Sequence, residues 1–231
     1  IGGESSRPGS EKISIIEEKS RVVDPIKHLK NCKAASLISL DSRNLSTMKT
    51  CHKIGVDIFN DITAFKEKNK IDFISKTATP IIIMHMQNEP MNMQINPTYS
   101  FAPIDIYKFF SKKIIDLINA GVKKSNIIID PGIGFGKTLS DNLNILKYLT
   151  LFHGLGVPIL IGASRKSLIA ELTIKDYKLR EKNKKVITPS KRLSGSLAFA
   201  IHANMCGVQI LRTHDVFETN QALICQSSLY L

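Results

Sequence analysis

Residues 126–138 read NIIIDPGIGFGKT, an isoleucine run that ends in Asp130 and is followed by a loop with three glycines. A short, continuous Ile/Val/Leu run between turn signals predicts a strand that is buried on both faces, as in a parallel sheet covered by helices. Asp130 then stands at the carboxyl end of its strand. In a (β/α)8 barrel, the residues that do chemistry stand at that end of the strands.

The same pattern recurs on both sides of this stretch, so one shared pocket is the simplest interpretation. Apolar runs precede Asp41, the pair Asn60 and Asp61, His85, the triplet Ser164-Arg165-Lys166 and the triplet Arg212-Thr213-His214, and the chain opens on IGGESSRPG. Helical segments alternate with these strands, and this alternation predicts a parallel sheet with crossover helices. We therefore predict the α/β class and a TIM (β/α)8 barrel that forms a single domain over residues 1–231.

Seven strands are predicted, of which the first is only a stub at the start of the chain. A closed barrel needs one more complete βα unit, which takes roughly 30 residues. We therefore expect the barrel to be N-terminally incomplete in this sequence, without its first strand-helix unit. A basic insertion over about residues 175–192 interrupts the helical pattern after the sixth strand.

Composition narrows the class of protein. A formal net charge of +12 is compatible with nucleic-acid binding, but the densest charge falls in the basic insertion, and no basic stripe interleaved with aromatic residues occurs in the sequence. We therefore expect no nucleic-acid partner. No apolar stretch approaches the roughly 20 residues that cross a bilayer, so we expect no membrane partner either. Four scattered cysteines without a CxxC pair favour reduced thiols and a cytoplasmic location.

The glycine-rich loop after Asp130 does not match a nucleotide-binding motif. A Walker loop needs Gly five residues before Gly136, where Pro131 stands, and a dinucleotide fingerprint that starts at Gly132 needs Gly at the position of Lys137. The glycines more simply let the backbone turn tightly beneath a ligand. Asp130 can then pair with an amino-pyrimidine edge through two hydrogen bonds. The alternative is that Asp130 caps the following helix.

Two further segments indicate anion binding. The sequence GASRKS, residues 162–167, lies at a strand-to-helix junction, where backbone N–H groups and the helix dipole attract anions. Arg212 and His214 alternate along one strand end, so their side chains lie on the same side and together suit a phosphate. The alternatives are a plain basic helix start and a packed core histidine. For His85, packing and pocket lining stay equal alternatives.

Taken together, IGGESSRPG, the strand ending in Asp41, FNDI, MHMQ, DPGIGFGKT, GASRKS and LRTHDV resemble the dihydropteroate synthase family, in that family's order and over the whole chain. The resemblance implies a pterin-binding TIM barrel, usually dimeric, with Mg²⁺ as cofactor. It implies a transferase that joins 6-hydroxymethyl-7,8-dihydropterin pyrophosphate to p-aminobenzoate, releasing pyrophosphate and 7,8-dihydropteroate in folate synthesis.

The resemblance also implies roles for individual residues. The family's pterin-pocket positions correspond to Asp41, Asn60, Met84, Asp130, Lys166 and Arg212. Its pyrophosphate positions correspond to Arg7, Arg212 and His214, and its p-aminobenzoate positions to Ser6, Arg7, Pro8, Phe135, Lys166 and Ser167. Asp41, Asp130 and Lys166 are the predicted catalytic residues. Fixed carboxylates suit a reaction in which positive charge develops on the pterin as pyrophosphate leaves.

The sequence departs from the family in two places. Ser6 stands where the family usually has Thr, and a modest effect on that subsite is expected. The family's first strand supplies an Asn that helps to hold Mg²⁺, and nothing in this sequence matches it, so we assign no metal ligand. Two alternatives to an active synthase therefore stay open: an inactive, truncated pterin-binding remnant, and a pterin-dependent methyltransferase domain.

Overall fold

The computed structural model describes residues 1–7, 9–32, 36–176 and 187–229. Within them, short parallel strands alternate with helices. The strands are β1 (Ser39–Asp41), β2 (Ile58–Asp61), β3 (Ile81–Met84), β4 (Ile127–Asp130), β5 (Leu160–Ile161) and β6 (Ile210–Leu211). The helices are α1 (Ile15–Asn31), α2 (Leu45–Ile54), α3 (Lys68–Thr77), α4 (Ala102–Asn119), α5 (Leu139–Lys147), α6 (Ser167–Asp176), α7 (Leu193–Met205) and α8 (Val216–Ser227).

Every strand pairing is parallel and joins neighbours in the sequence. The order β1–β2–β3–β4 forms one ladder and β5–β6 a second, and a bridge between Ile129 and Ile159 connects the two. At the other edge, Gly2 makes a parallel bridge to Asp41. This succession is that of the predicted TIM barrel. The predicted stub at the start of the chain contributes that one bridge. The described residues therefore contain six strands, where seven were expected.

The strands bury both of their faces, as their uninterrupted apolar runs predict. Ile82, Ile128 and Leu160 form one cluster with Ile58 and Ile210, so five of the strands send a side chain to the same layer. Such a layer of inward-pointing branched side chains is how barrel interiors are filled. The alternate residues, such as Ile81 and Ile83, belong to a larger cluster that includes side chains of the surrounding helices.

Helix boundaries differ from the sequence pattern where capping groups decide them. The apolar pattern after the glycine-rich loop predicts a helix over residues 141–152. In the structure this helix begins earlier, at Leu139, because Thr138 and Asp141 form a reciprocal capping box. It ends at Lys147 and continues as a tighter 3₁₀ segment over Leu149–Leu155, which ends at Gly156 in a left-handed conformation. Residues 177–186 of the predicted basic insertion lie outside the described residues. None of the helices in the described part of the chain combines the length and apolar character needed to span a membrane.

Candidate functional site

Four of the predicted site residues stand together at the carboxyl edge of the sheet. In the strand register, Asp41 on β1 is the neighbour of Asn60 on β2. Met84 on β3 is likewise the neighbour of Asp130 on β4. Parallel strands that end at the same level place their terminal side chains around one space, so the edge carries two carboxyl groups, an amide and a thioether.

Asp130 is almost entirely buried and does not cap a helix. Its Oδ1 accepts a hydrogen bond of 2.8 Å from the backbone N–H of Gly132, while Thr138 is the residue that caps α5. The helix-cap alternative is therefore wrong. Burial raises the pKa of the Asp130 carboxyl, against the opposing effects of the Gly132 N–H and the nearby Lys166 and Arg212 charges. A buried carboxyl with spare acceptor capacity is suited to a ligand that brings N–H donors.

Lys166 reaches the loop that follows Asp130. Its Nζ donates to the carbonyl of Ile133 at 2.8 Å and lies 4.1 Å from the centre of the Phe135 ring. Burial lowers the pKa of Lys166 to about 8, with Asp130 acting in the opposite direction. Lys166 therefore has a carbonyl, an aromatic face and the field of Asp130 around its ammonium group.

The side chains beside Asp130 and Lys166 are mainly apolar, and they include one buried polar atom that has no hydrogen bond within the described residues. Met84 and Phe135 are buried in a small cluster with Ile62 and Met93. The side-chain Oδ1 of Asn60 is buried and receives no hydrogen bond from the described residues. Buried acceptors are normally paired, so this atom is an acceptor available to a ligand donor.

Cationic side chains gather near the ends of β6 and β1. A nitrogen of Arg212 lies 2.9 Å from Oδ2 of Asp41, which joins the last described strand to the first. Nδ1 of His214 lies 3.0 Å from Oγ of Ser164, and the backbone N–H of His214 donates to the same oxygen at 3.2 Å. This contact holds His214 beside β5. The side chain of His214 is exposed, so the packed-core alternative is wrong.

The electrostatics around His214 indicate an anion-binding region. Burial lowers the pKa of the imidazole, and the charges of Arg165, Arg212 and Arg7 lower it further. Three guanidinium groups therefore act on one ring. Arg165 pairs with Asp215 through an Nε–Oδ2 contact of 3.0 Å, and Arg212 pairs with Asp41. The side chains of Arg7 and Arg212 are both exposed, so these two can turn toward an anionic ligand.

The predicted p-aminobenzoate residues come from three places. Ser6 and Arg7 lie in the N-terminal loop, which comprises residues 2–7 and 9–13. Arg7 is exposed there, and Ser167 is exposed at the start of α6. Phe135 and Lys166 contact each other as described above. Pro8 lies outside the described residues. The structure thus brings Phe135 and Lys166 into contact, while within the described residues no hydrogen bond joins Ser6 or Ser167 to either of them.

Lys137 is a site residue that the sequence analysis missed. It is 3% exposed, and its Nζ donates to the carbonyl of Phe135 at 2.8 Å and to that of His85 at 3.2 Å. Burial lowers the pKa of Lys137 to about 7. His85 packs edge-on against Phe109, with ring centres 4.9 Å apart, and burial lowers its pKa to about 3. His85 is therefore a packed residue that supports the loop.

Within the described residues, no three His, Cys, Asp or Glu side chains are grouped as ligands of a metal ion. The donor set at the carboxyl edge is made of two separated carboxyl groups, one of which is paired with Arg212. These residues do not fit a resident Mg²⁺ site.

Comparison with known proteins gives matches to a single family. A family model described as "Pterin binding enzyme" matches residues 1–214. The dihydropteroate synthase of Escherichia coli (strain K12) is 37% identical over 223 residues, which are 96% of this chain and 74% of that protein. The dihydropteroate synthase of Haemophilus influenzae is 38% identical over 223 residues, which are 96% of this chain and 76% of that protein.

Solved structures agree with these relatives. A Yersinia pestis dihydropteroate synthase with a sulfonamide drug matches with a TM-score of 0.90 at 35% identity, over 99% of this chain and 78% of the other. Two structures of the Xanthomonas albilineans enzyme also match. The one with 4-aminobenzoic acid has a TM-score of 0.87 at 32% identity, over 100% and 78% of the two chains. The one with 7,8-dihydropteroate has a TM-score of 0.82 at 31% identity, over 96% and 77%.

Proposed function

The chain belongs to the dihydropteroate synthase family of pterin-binding enzymes, and we propose that it condenses 6-hydroxymethyl-7,8-dihydropterin pyrophosphate with p-aminobenzoate. The products are 7,8-dihydropteroate and pyrophosphate, in folate synthesis. Relatives with 31% and 32% identity have been solved with 7,8-dihydropteroate and with 4-aminobenzoic acid. These two small molecules are the product and the acceptor of the proposed reaction.

The reaction exchanges one bond for another at a methylene carbon. The C–O bond to pyrophosphate breaks and its electron pair leaves with the phosphate oxygen. The arylamine nitrogen forms the new C–N bond and loses one proton, to solvent or to the departing pyrophosphate. Positive charge builds on the pterin side and negative charge on the leaving group, so a site with carboxylates on one side and cations on the other lowers the barrier.

Asp130 is proposed as the main pterin ligand. A carboxylate can accept two hydrogen bonds from the amide and amino N–H groups of a pterin edge, and Asp130 has one backbone donor in the described structure. Burial of this carboxyl raises its pKa, so N–H donors from a ligand would stabilise its charged form. The unpaired Oδ1 of Asn60 and the buried Met84 would complete the recognition of the ring.

Arg212, His214 and Arg7 are proposed to hold the leaving group. The Arg212 side chain pairs with Asp41 and is 56% exposed, so it can reach an incoming phosphate from this position. Ser164 accepts the backbone N–H of His214 and can donate its own proton to Nδ1, which leaves Nε2–H as a donor. Asp41, once released by Arg212, would face the positive charge on the pterin.

The acceptor is proposed to lie between Phe135 and Lys166 on one side and the N-terminal loop on the other. The Phe135 ring offers a flat apolar surface, and Lys166 offers positive charge 4.1 Å from its centre. An aromatic carboxylate matches both features. Ser6, Arg7, Pro8 and Ser167 are proposed as the remaining acceptor residues on the strength of the family motif.

Mg²⁺ dependence stays a prediction of the resemblance. Because the described residues do not form a site for this ion, every step above uses only side chains of the chain itself. A homodimer and a cytoplasmic location are proposed on the same ground. The apolar side chains of Met205, Phe217 and Ile224 are 60%, 74% and 59% exposed on α7 and α8, and they offer surface that a second copy would cover.

The observation that carries the proposal is the meeting of Asp130, Lys166 and Phe135 at the carboxyl edge, tested by Asp130→Asn. The amide removes the charge and replaces one acceptor oxygen by a donor nitrogen. We expect kcat/KM to fall at least about 100-fold, as for the loss of a charge-stabilising group, with an unchanged circular dichroism spectrum. Asp72→Asn, at an exposed position of α3, is the matched control and should retain full activity.

The measurement is release of pyrophosphate and formation of 7,8-dihydropteroate from the two substrates, with Mg²⁺ present. Unaltered turnover by Asp130→Asn would refute the role of this residue. An unsubstituted chain that binds 6-hydroxymethyl-7,8-dihydropterin without making product would instead support the remnant alternative. Methyl transfer to a corrinoid in the absence of p-aminobenzoate would support the methyltransferase alternative.

A further inference from the structure

The N-terminal loop, residues 2–7 and 9–13, forms one side of a cavity. The cavity has a volume of about 570 Å³ and lies between this loop, the segments that follow β2 and β3, and α4. Glu4, Lys12 and Ile13 line it from the loop side. The start of the loop is held by the bridge from Gly2 to Asp41 and by a hydrogen bond of 2.9 Å from Arg21 to the carbonyl of Gly3. Beyond Gly3, polar contacts hold the loop beside the cavity.

The best-enclosed of these contacts joins Glu4 to Arg43. Nε of Arg43 donates to Oε2 of Glu4 at 2.7 Å, and a second guanidinium nitrogen donates to Oε1 at 2.8 Å. The two side chains are 14% and 9% exposed. The backbone N–H of Ile13 donates to Oε1 of the same carboxylate at 3.2 Å, so Glu4 ties the end of the loop to its beginning. A bidentate, enclosed pair of this kind fixes both orientation and distance.

Arg43 is in turn fixed to the strand that carries Asn60. Nζ of Lys70 donates to the carbonyl of Arg43 at 3.1 Å and lies 2.8 Å from Oδ2 of Asp61. Asp61 and Lys70 are 0% and 1% exposed. A continuous chain of contacts therefore runs from the end of β2, through Lys70 and Arg43, to Glu4 in the N-terminal loop.

Two further contacts, made by Lys12 and Gly9, are weaker constraints on the loop. Lys12 pairs with Glu89 at 3.0 Å, but the two side chains are 63% and 62% exposed, and exposed pairs contribute little. The backbone N–H of Gly9 donates to the carbonyl of Pro90 at 3.0 Å, a single bond that leaves the loop free to rotate about it.

We propose that Arg43 and Glu4 are positioning residues, which hold the N-terminal loop so that Ser6 and Arg7 meet the acceptor substrate. The inference rests on the proposed function, because it takes the loop as one wall of the p-aminobenzoate site. Neither residue touches the reacting atoms. The contact between Arg43 and Glu4 links the position of β2, which carries the proposed pterin residue Asn60, to the position of the loop on the acceptor side.

The test compares Arg43→Met with Arg43→Lys and Glu4→Gln. We expect Arg43→Met to raise the KM for p-aminobenzoate about tenfold or more, since a hydrogen-bonded charged contact is lost. The Kd of 6-hydroxymethyl-7,8-dihydropterin, which lacks the pyrophosphate that Arg7 would contact, should stay within about twofold. Arg43→Lys keeps a cation beside Glu4 and should fall between Arg43→Met and the unsubstituted protein.

A second measurement follows the loop directly, by hydrogen–deuterium exchange of the amides of residues 4–7. Exchange should be faster in Arg43→Met than in the unsubstituted protein. Glu89→Gln breaks the exposed pair on the same loop and is the matched control, for which neither KM nor exchange should change. Because removal of one partner of a buried pair destabilises a fold, Arg43→Lys and Glu4→Gln decide the question if Arg43→Met does not fold.

The outcomes separate the two proposals. An unchanged KM for p-aminobenzoate in folded variants overturns the positioning role, and so does an equal loss of pterin binding, which a general structural defect would cause. The positioning role is also overturned if hydrogen–deuterium exchange of residues 4–7 is the same in the folded variants as in the unsubstituted protein, whatever their activity. Failure of the unsubstituted protein to form 7,8-dihydropteroate contradicts only the proposed function.

Discussion

Lys166 carries its charge in an enclosed place where its direct partners are a carbonyl oxygen and an aromatic ring. Burial therefore lowers its pKa to about 8, and the charge of Arg212 lowers it further, while Asp130 opposes the shift. A lysine with an ordinary pKa would stay charged throughout the physiological range. Lys166 instead changes charge within it, and its protonated form is the one that would attract an anionic acceptor.

The activity should therefore fall as pH rises through the pKa of Lys166. Below about pH 8 the ammonium form predominates and kcat/KM is supported, and above this pH the neutral amine accumulates and kcat/KM decreases. Lys166→Arg keeps its charge at high pH, so its profile should lack this decrease even if its maximum is lower. The check is kcat/KM from pH 6 to 10. Lys76→Arg, exposed on α3, should keep the decrease, and a flat profile for the unsubstituted protein would refute the assignment.

At the level of single residues, the sequence indicates Asp130 and Lys166 but not Lys137. Asp130 follows an apolar run directly, so its place at a strand end can be read from its neighbours. The burial of Lys137 depends on carbonyl and imidazole groups of His85, 52 residues away in the sequence. No feature of the sequence around Lys137 predicts that its side chain is buried. Its burial results from the packing of two loops against each other.

Those two loops, which follow β3 and β4, pack backbone against backbone. A Cβ atom at Gly132, where φ is +71°, would lie 2.1 Å from the carbonyl oxygen of His85. The hydroxyl of Tyr99 also donates to the carbonyl of Gly136 at 2.8 Å. Asp130 and Phe135 stand on either side of this contact, so the loops set the distance between the proposed pterin and acceptor residues.

Gly132→Ala should therefore damage both stability and activity. The methyl group would collide with backbone that has no free rotation, and the left-handed conformation adds a cost of about 1–2 kcal/mol. Gly121→Ala is the matched control, because Gly121 has φ of +94° and its nearest neighbour would be Ser75 at 3.8 Å. Urea unfolding and kcat/KM check both variants. Equal stability losses, or full activity in Gly132→Ala, would contradict the close approach.

Among the elements, β2 to β4 could be predicted and the short strands only in part. The runs before Asn60 and Asp130 are buried on both faces, and hydrophobicity alone identifies them. The run from 158 to 161 forms a ladder only at Leu160–Ile161, because Pro158 has no N–H to donate and the N–H of Ile159 donates to the side chain of Gln209. The start of α5 was misplaced because its capping box lies outside the apolar pattern that was used to predict the helix.

At the scale of the molecule, stability depends on an apolar interior that also contains a fully buried ion pair. The barrel layer of Ile58, Ile82, Ile128, Leu160 and Ile210 fills the space between the strands. Beside it, Asp61 and Lys70 are enclosed completely. Such a pair is costly to break, because the remaining charge keeps its desolvation penalty without its partner.

Lys70→Met should destabilise the fold by about 3–5 kcal/mol, the usual cost of leaving one member of a buried pair unpaired. The double variant Lys70→Met/Asp61→Asn removes both charges and should recover part of that loss. Urea unfolding gives both free energies, and the predicted single domain should show one transition. Wild-type stability in Lys70→Met, or no recovery in the double variant, would contradict this account.

The contact between Arg212 and Asp41 spans 171 positions of the chain. A ribosome must therefore add 171 residues after Asp41 before the two side chains can meet, and this long segment has to lose its freedom for one closure. The nascent protein can build its early strands in advance. It can pair Asp41 with Arg212 only after β6 has been synthesised, so the charged groups of the site come together late in the folding of these residues.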